Sequence, residues 1–203
     1  MPERLATTPQ HALELLMDGN QRWVDGRLAD PRRSVERRPG LIEGQSPFAT
    51  VFSCIDSRVA PEIVFDCALG DLAVVRSGGH ALGETAIMGS LQFGVDRLKT
   101  PLLLVLGHQG CGAVTTAIEA VERDEDLPVG LSAIVESIRP AHELARASDE
   151  SGDIVTRTVQ AHTRLTMQAI SRAPLIDRLV ESGALEVVGA YYSFDTGTVS
   201  VLE

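Results

Sequence analysis

Two short clusters hold most of the residues in this chain that could do chemistry: Cys54-Ile55-Asp56-Ser57-Arg58 and His108-Gln109-Gly110-Cys111. Two thiolates and an imidazole form a ligand set that selects zinc, and a tetrahedral ion asks for four groups. A structural zinc site usually takes its ligands as two close pairs. Here the first cluster supplies one sulfur and, two residues on, a carboxylate. Cys54, His108 and Cys111 as fixed ligands, with Asp56 as a removable fourth, is the arithmetic of a catalytic site that keeps a position for water. Arg58 competes for Asp56 through a bidentate pair. When Arg58 holds Asp56 the metal is open; when Asp56 turns to the metal it is closed. Zinc-bound hydroxide is a nucleophile at mild pH, and a small, apolar, electrophilic carbon is its natural target. Two thiolates cancel the charge of Zn²⁺, so the bound water is expected to ionise at or above the ~7 of a three-histidine site.

Both clusters must be carried to one place. Each follows an apolar run, Phe48 to Ser53 and Pro101 to Gly107, that reads as a buried strand. Parallel neighbours would deliver both clusters to the carboxyl edge of one sheet, where open α/β sheets bind ligands. Leu72 to Arg76 is a further strand, and the unbroken apolar run from Pro101 to Leu106 belongs at the sheet's centre. Thr8-Pro9 reads as the cap and first position of a helix, with Leu13, Leu16, Met17, Asn20, Trp23 and Val24 on one face and Gly26 ending it. This is a docking helix with Trp23 as its anchor.

Residues 27–47, with Asp30-Pro31, Arg32-Arg33, Pro39-Gly40 and Ser46-Pro47, read as loop. Helical patterns run over Pro61 to Asp66, Glu84 to Lys99, Cys111 to Val121, Leu131 to Ala147 with a kink or break at Pro140, Ile154 to Arg172, and Leu175 to Glu181. Leu185 to Tyr192 and Thr198 to Leu202 are strands joined through Asp195-Thr196-Gly197. The expected class is α/β: a central, mostly parallel sheet flanked by helices, with one antiparallel edge strand and an N-terminal helical arm. We expect a single domain over 1–203, with the arm at 1–26 and the α/β core at 27–203.

A formal net charge of -10, without a long basic run, argues against nucleic-acid or membrane partners. No apolar run is long enough to span a membrane, and the first residues do not form a secretory leader. Three cysteines are too few and too scattered for a disulfide framework, which points to a reducing cytoplasm. Cys67 has no ligand partner at metal spacing and reads as a small buried hydrophobe. His11, His142 and His162 fall in helical patterns as surface or packing residues.

Cys54-Ile55-Asp56-Ser57-Arg58-Val59 and Gly107-His108-x-x-Cys111-Gly112-Ala113-Val114 resemble the two signatures of the β-class carbonic anhydrases. The likeness runs from Gly19-Asn20 to the tail between Tyr191 and Val201. It implies reversible hydration of carbon dioxide to bicarbonate and a proton, one Zn²⁺ per chain, and a homodimer or homotetramer in which the first helix lies across a partner. It also implies that Gln45 hydrogen-bonds a substrate oxygen. The Gly112 N–H, at a helix start, favours an anion or a thiolate. His80, in the Ser77-Gly78-Gly79-His80 turn, is either a proton shuttle or a satisfied turn residue. Two positions depart from the family pattern. Ala73 replaces a common aromatic, which puts the size limit on substrate in question. Val51 replaces the Trp of a subgroup regulated by bicarbonate, so that regulation is not expected. Hydrolysis of carbonyl sulfide or carbon disulfide at the same site is a second reading, and a non-catalytic zinc or bicarbonate-binding scaffold a third.

Overall fold

The computed structural model describes residues 5–27, 37–83, 85–148 and 151–203. Asp30-Pro31, Arg32-Arg33 and Glu84 lie outside the described residues. Five strands form one sheet in the order β2-β1-β3-β4-β5. β1 (Ala49–Cys54) pairs in parallel with β2 (Leu72–Ser77) and β3 (Leu102–His108), and β3 pairs in parallel with β4 (Glu186–Tyr192). β5 (Val199–Leu202) closes one side antiparallel to β4, as the hairpin signal requires.

Every residue of β1 and β3 is buried, as expected of parallel strands covered on both faces. The strand period of two separates the layers. Leu102, Leu104 and Leu106 join a core with Leu16 of α1 (Pro9–Val24) and Val64 of α2 (Pro61–Val64). Leu103 and Val105 face the other way. They meet Leu91 of α3 (Thr85–Gln92), Ile170 of α6 (Ile154–Ser171) and Ile176 of α7 (Pro174–Glu181). A third cluster joins Cys54 and Cys111 to Val114 and Ile118 of α4 (Gly112–Arg123) and to Val135 and Ile138 of α5 (Val129–Ala147).

The pairing register sets the site. Ser53 lies opposite Leu106 and Cys54 opposite Ser77, so β1 ends beside the point where β3 reaches Gly107 and His108. Helix α6 approaches closely there: a Cβ on Gly107 would lie 2.4 Å from Thr163 Oγ1.

Two local expectations are corrected. The helix expected through Lys99 narrows to α3, followed by a π-helical turn over Phe93–Arg97. The Thr100 hydroxyl and N–H both donate to the Gly94 carbonyl, at 3.2 Å each, and this redirects the chain into β3. Pro140 does not split α5, which absorbs one missing backbone bond and continues. The N-terminal helix docks as expected, with Trp23 as an anchor. The Asn20 amide donates to the carbonyls of Val64 and Gly197 and accepts from the Val199 N–H. Trp23 donates from Nε1 to the Tyr192 hydroxyl at 3.1 Å.

Candidate metal centre

At the carboxyl ends of β1 and β3, one ligand atom each from Cys54, His108 and Cys111 lies within 4.8 Å of the others, and all three residues are buried. The two Sγ atoms are 3.8 Å apart and both cysteines are free thiols. Two sulfurs each about 2.3 Å from a tetrahedral zinc stand about 3.8 Å apart, so the pair already has the spacing of zinc ligands. The imidazole is oriented as a ligand too. His108 Nδ1 lies 3.0 Å from the Gln109 carbonyl, which only accepts, so Nδ1 carries the proton. Nε2 is left with a bare lone pair, is buried, and has no hydrogen-bond partner. A buried orphan lone pair facing two thiols is what a metal would complete.

The sulfurs are tuned by their surroundings. The Cys111 thiol and the backbone N–H groups of Asp56 at 3.4 Å and Gly79 at 3.3 Å favour a Cys54 thiolate and pull its pKa down. The shared hydrogen bond and burial push Cys111 up, so the pair releases one proton readily and keeps the other. The N–H groups of Val114 and Ala113, at the start of α4, oppose this rise. The Gly79 N–H reaches Cys54 because Gly79 is left-handed, with φ +58°.

Asp56 is not in the ligand group. Arg58 donates to it from Nε at 3.0 Å, from Nη2 at 2.7 Å and from its backbone N–H at 2.9 Å. These bonds, first among them those of the guanidinium, hold the carboxyl down at about 2. Asp56 Oδ2 nevertheless stands 4.0 Å from His108 Nε2, within a short swing of the group.

Four residues with no role assigned from sequence hold this arrangement. Arg76 donates to the carbonyls of Cys54, Asp56 and Val59 at 2.8, 2.6 and 2.9 Å, clamping the loop that carries the first cluster. Gln109 ties the second cluster to the β4–β5 hairpin, and Phe194 of that hairpin covers Arg58. Gly79 is the fourth, and the run of small residues at 77–79 was its signal. For the long-range partners no local pattern exists.

Other expected site residues lie elsewhere. Gln45 is exposed and lines two cavities, one of about 500 Å³ with Leu41 and Leu69 and one of about 570 Å³ along β2. Neither cavity is lined by Cys54, His108 or Cys111. Ala73 lines the larger one, among Val75, Ala86 and Phe93. Gly112 is exposed, and a Cβ there would meet nothing within 4 Å. His80 is fully buried, with Nε2 3.3 Å from Thr163 Oγ1, and so does not face solvent as a shuttle would. Cys67 is buried, with its thiol 3.3 Å from the Phe65 carbonyl.

Comparison with known proteins follows the same lines. The carbonic anhydrase family model matches residues 49–199. Carbonic anhydrase 2 of Mycobacterium tuberculosis is 41% identical over 193 residues, spanning 94% of this chain and 91% of that protein. The solved structure of Coccomyxa β-carbonic anhydrase with acetazolamide is similar at a TM-score of 0.72 and 25% identity, covering 94% of this chain and 86% of that one. One of two tetrameric β-carbonic anhydrases of the ascomycete Sordaria macrospora gives a TM-score of 0.72 at 20% identity, covering 94% and 96%.

Proposed function

The chain belongs to the carbonic anhydrase family, with the fold of the β class, and from this premise we propose that it hydrates carbon dioxide reversibly at the Cys54–His108–Cys111 group. The observation that carries this reading is the orphan Nε2 of His108 facing two thiols at ligand spacing. Cys54, Cys111 and His108 Nε2 would hold one Zn²⁺. When bound, zinc supplies Lewis acidity that brings the ionisation of water into the mild pH range.

The rest of the chemistry falls to the protein's own groups. Asp56 Oδ1 accepts two bonds from Arg58 and Oδ2 one, which leaves Oδ2 an acceptor position on the side of the ligand group. Oδ2 there takes a hydrogen bond from the attacking water and fixes its orientation. Arg58 keeps Asp56 in that role; if the pair opens, the carboxylate turns to the ligands and closes the site. Burial of Cys54 and Cys111 among Val114, Ile138 and Val159 gives carbon dioxide an apolar environment.

Gln45 shares neither of its two cavities with its own metal group. Its expected part in catalysis would be met at a site completed by a second copy of the chain. The free edge of β2 and the apolar cavities beside it, lined by Leu72, Val74 and Phe93, offer the surface for such a copy. The homodimer or homotetramer expectation takes its support from this edge and from the tetrameric Sordaria relatives. Among the described residues no helix is long and apolar enough to cross a membrane.

The test is stopped-flow carbon dioxide hydration with metal analysis of the same sample. The reading requires one zinc per chain and hydration that is lost on chelation and regained with zinc. A protein full of zinc that does not hydrate carbon dioxide at pH 8.5 would be a scaffold instead.

A further inference from the structure

Arg58 has to hold Asp56, yet 57% of its own side chain is exposed. Exposed ion pairs stabilise little unless something else fixes their geometry. Two further contacts do so here. Arg58 Nη2 donates to the Gly110 carbonyl at 3.3 Å, and the guanidinium carbon sits 4.5 Å from the centre of the Phe194 ring. The ring is itself fixed: it meets Tyr192 edge-on at 5.3 Å and ligand His108 edge-on at 5.8 Å.

The hairpin that carries Phe194 is locked to the second cluster by one side chain. Gln109 Oε1 accepts from the N–H groups of Phe194 at 2.8 Å and Asp195 at 3.2 Å, and from the Ser193 hydroxyl at 3.2 Å. Its Nε2 donates to Asp195 Oδ2 at 2.7 Å. Gln109 thus orients ligand His108 with its carbonyl and places Phe194 with its carboxamide.

We propose that Phe194 is a positioning residue for Arg58: its ring face holds the guanidinium where it pairs with Asp56 and so keeps the carboxylate off the metal ligands. This rests on the reading of Asp56 and Arg58 as a gate. Without the ring, Arg58 keeps only Asp56 and the Gly110 carbonyl, and the freed guanidinium lets Asp56 turn inward.

The test uses cobalt-substituted protein and azide, a small anion that competes with Asp56 for the open position, followed by visible absorption. F194L is expected to weaken azide binding about two- to fivefold, the range of an exposed cation–π contact, while F194Y keeps wild-type affinity. In a D56N background, F194L should have no further effect, because the carboxylate it releases is gone. Wild-type affinity in F194L where Arg58→Ala weakens azide, or equal weakening with and without Asp56, overturns the proposal. A second readout separates the two ideas: the ¹⁵N order parameter of Arg58 Nε–H in metal-free protein. It should fall in F194L and not in F194Y, and no fall overturns the proposal. If it falls while Arg58→Ala binds azide as tightly as wild type, the positioning role stands and the gate reading fails.

Discussion

The carboxyl end of the sheet holds two buried histidine sites with opposite fates. His108 stands with two thiols. Close by, His80 and His162 stack with ring centres 4.6 Å apart. Both sites contain orphan nitrogens: Nε2 of His108, Nδ1 of His80 and both ring nitrogens of His162. At His108 a carbonyl fixes the tautomer and two sulfurs converge on the free lone pair. At the His80–His162 pair no metal-ligand group forms among the described residues, and burial pushes both pKa values down, that of His162 to about 4. A buried orphan nitrogen therefore signals a metal only in the company of other donors; alone it signals a neutral ring, fixed by packing.

This contrast predicts that changes on the thiol side move metal binding and changes on the paired-histidine side move acid stability. The largest effect is expected from Cys111→Ser or His108→Ala, either of which should abolish stoichiometric zinc and reduce hydration to the uncatalysed level, read by metal analysis and stopped flow. Next comes Arg76→Ala, which frees three carbonyls of the first ligand loop and should weaken zinc about 10-fold in a chelator competition, with Arg76→Lys intermediate.

The smallest effect falls on the other side. His162 is neutral in the fold, with its pKa lowered from 6.5 to about 4 by burial, so the unfolded chain takes up the proton first as pH falls. Stability is full above about pH 6.5 and should drop by roughly 2 kcal/mol by pH 5, with His80 adding to the loss. Urea unfolding of metal-free protein at pH 7.5 and 5 measures this. His162→Phe should shrink the difference, and a protein equally stable at both pH values would break the contrast.

Much of this was legible in the residues. The two clusters and the apolar runs before them place Cys54, His108 and Cys111 together, because a parallel register brings both strand ends to one edge. The Asp195-Thr196-Gly197 hairpin and the Thr8-Pro9 helix start were equally plain, since local turn and cap chemistry decides them. Contacts between distant segments were not legible. Arg76 is one polar residue at the end of an apolar strand, and nothing near it in sequence says that it clamps the loop between Cys54 and Val59. Phe194 and Gln109 meet because β3 pairs with β4 and sets His108 opposite Tyr192. From its own segment His80 reads as a proton shuttle or a satisfied turn residue; α6 buries it from 83 residues away, through Thr163. The π-helical turn before β3 depends on Thr100 reaching back to Gly94, a bond that helical periodicity does not reveal.

The central claim is that two sulfurs and one imidazole hold a single zinc, with Asp56 kept aside by Arg58. X-ray absorption at the zinc edge of the loaded protein tests it most directly. The account predicts two sulfur neighbours at about 2.3 Å and two nitrogen or oxygen neighbours near 2.0 Å. A shell with fewer than two sulfurs would contradict it.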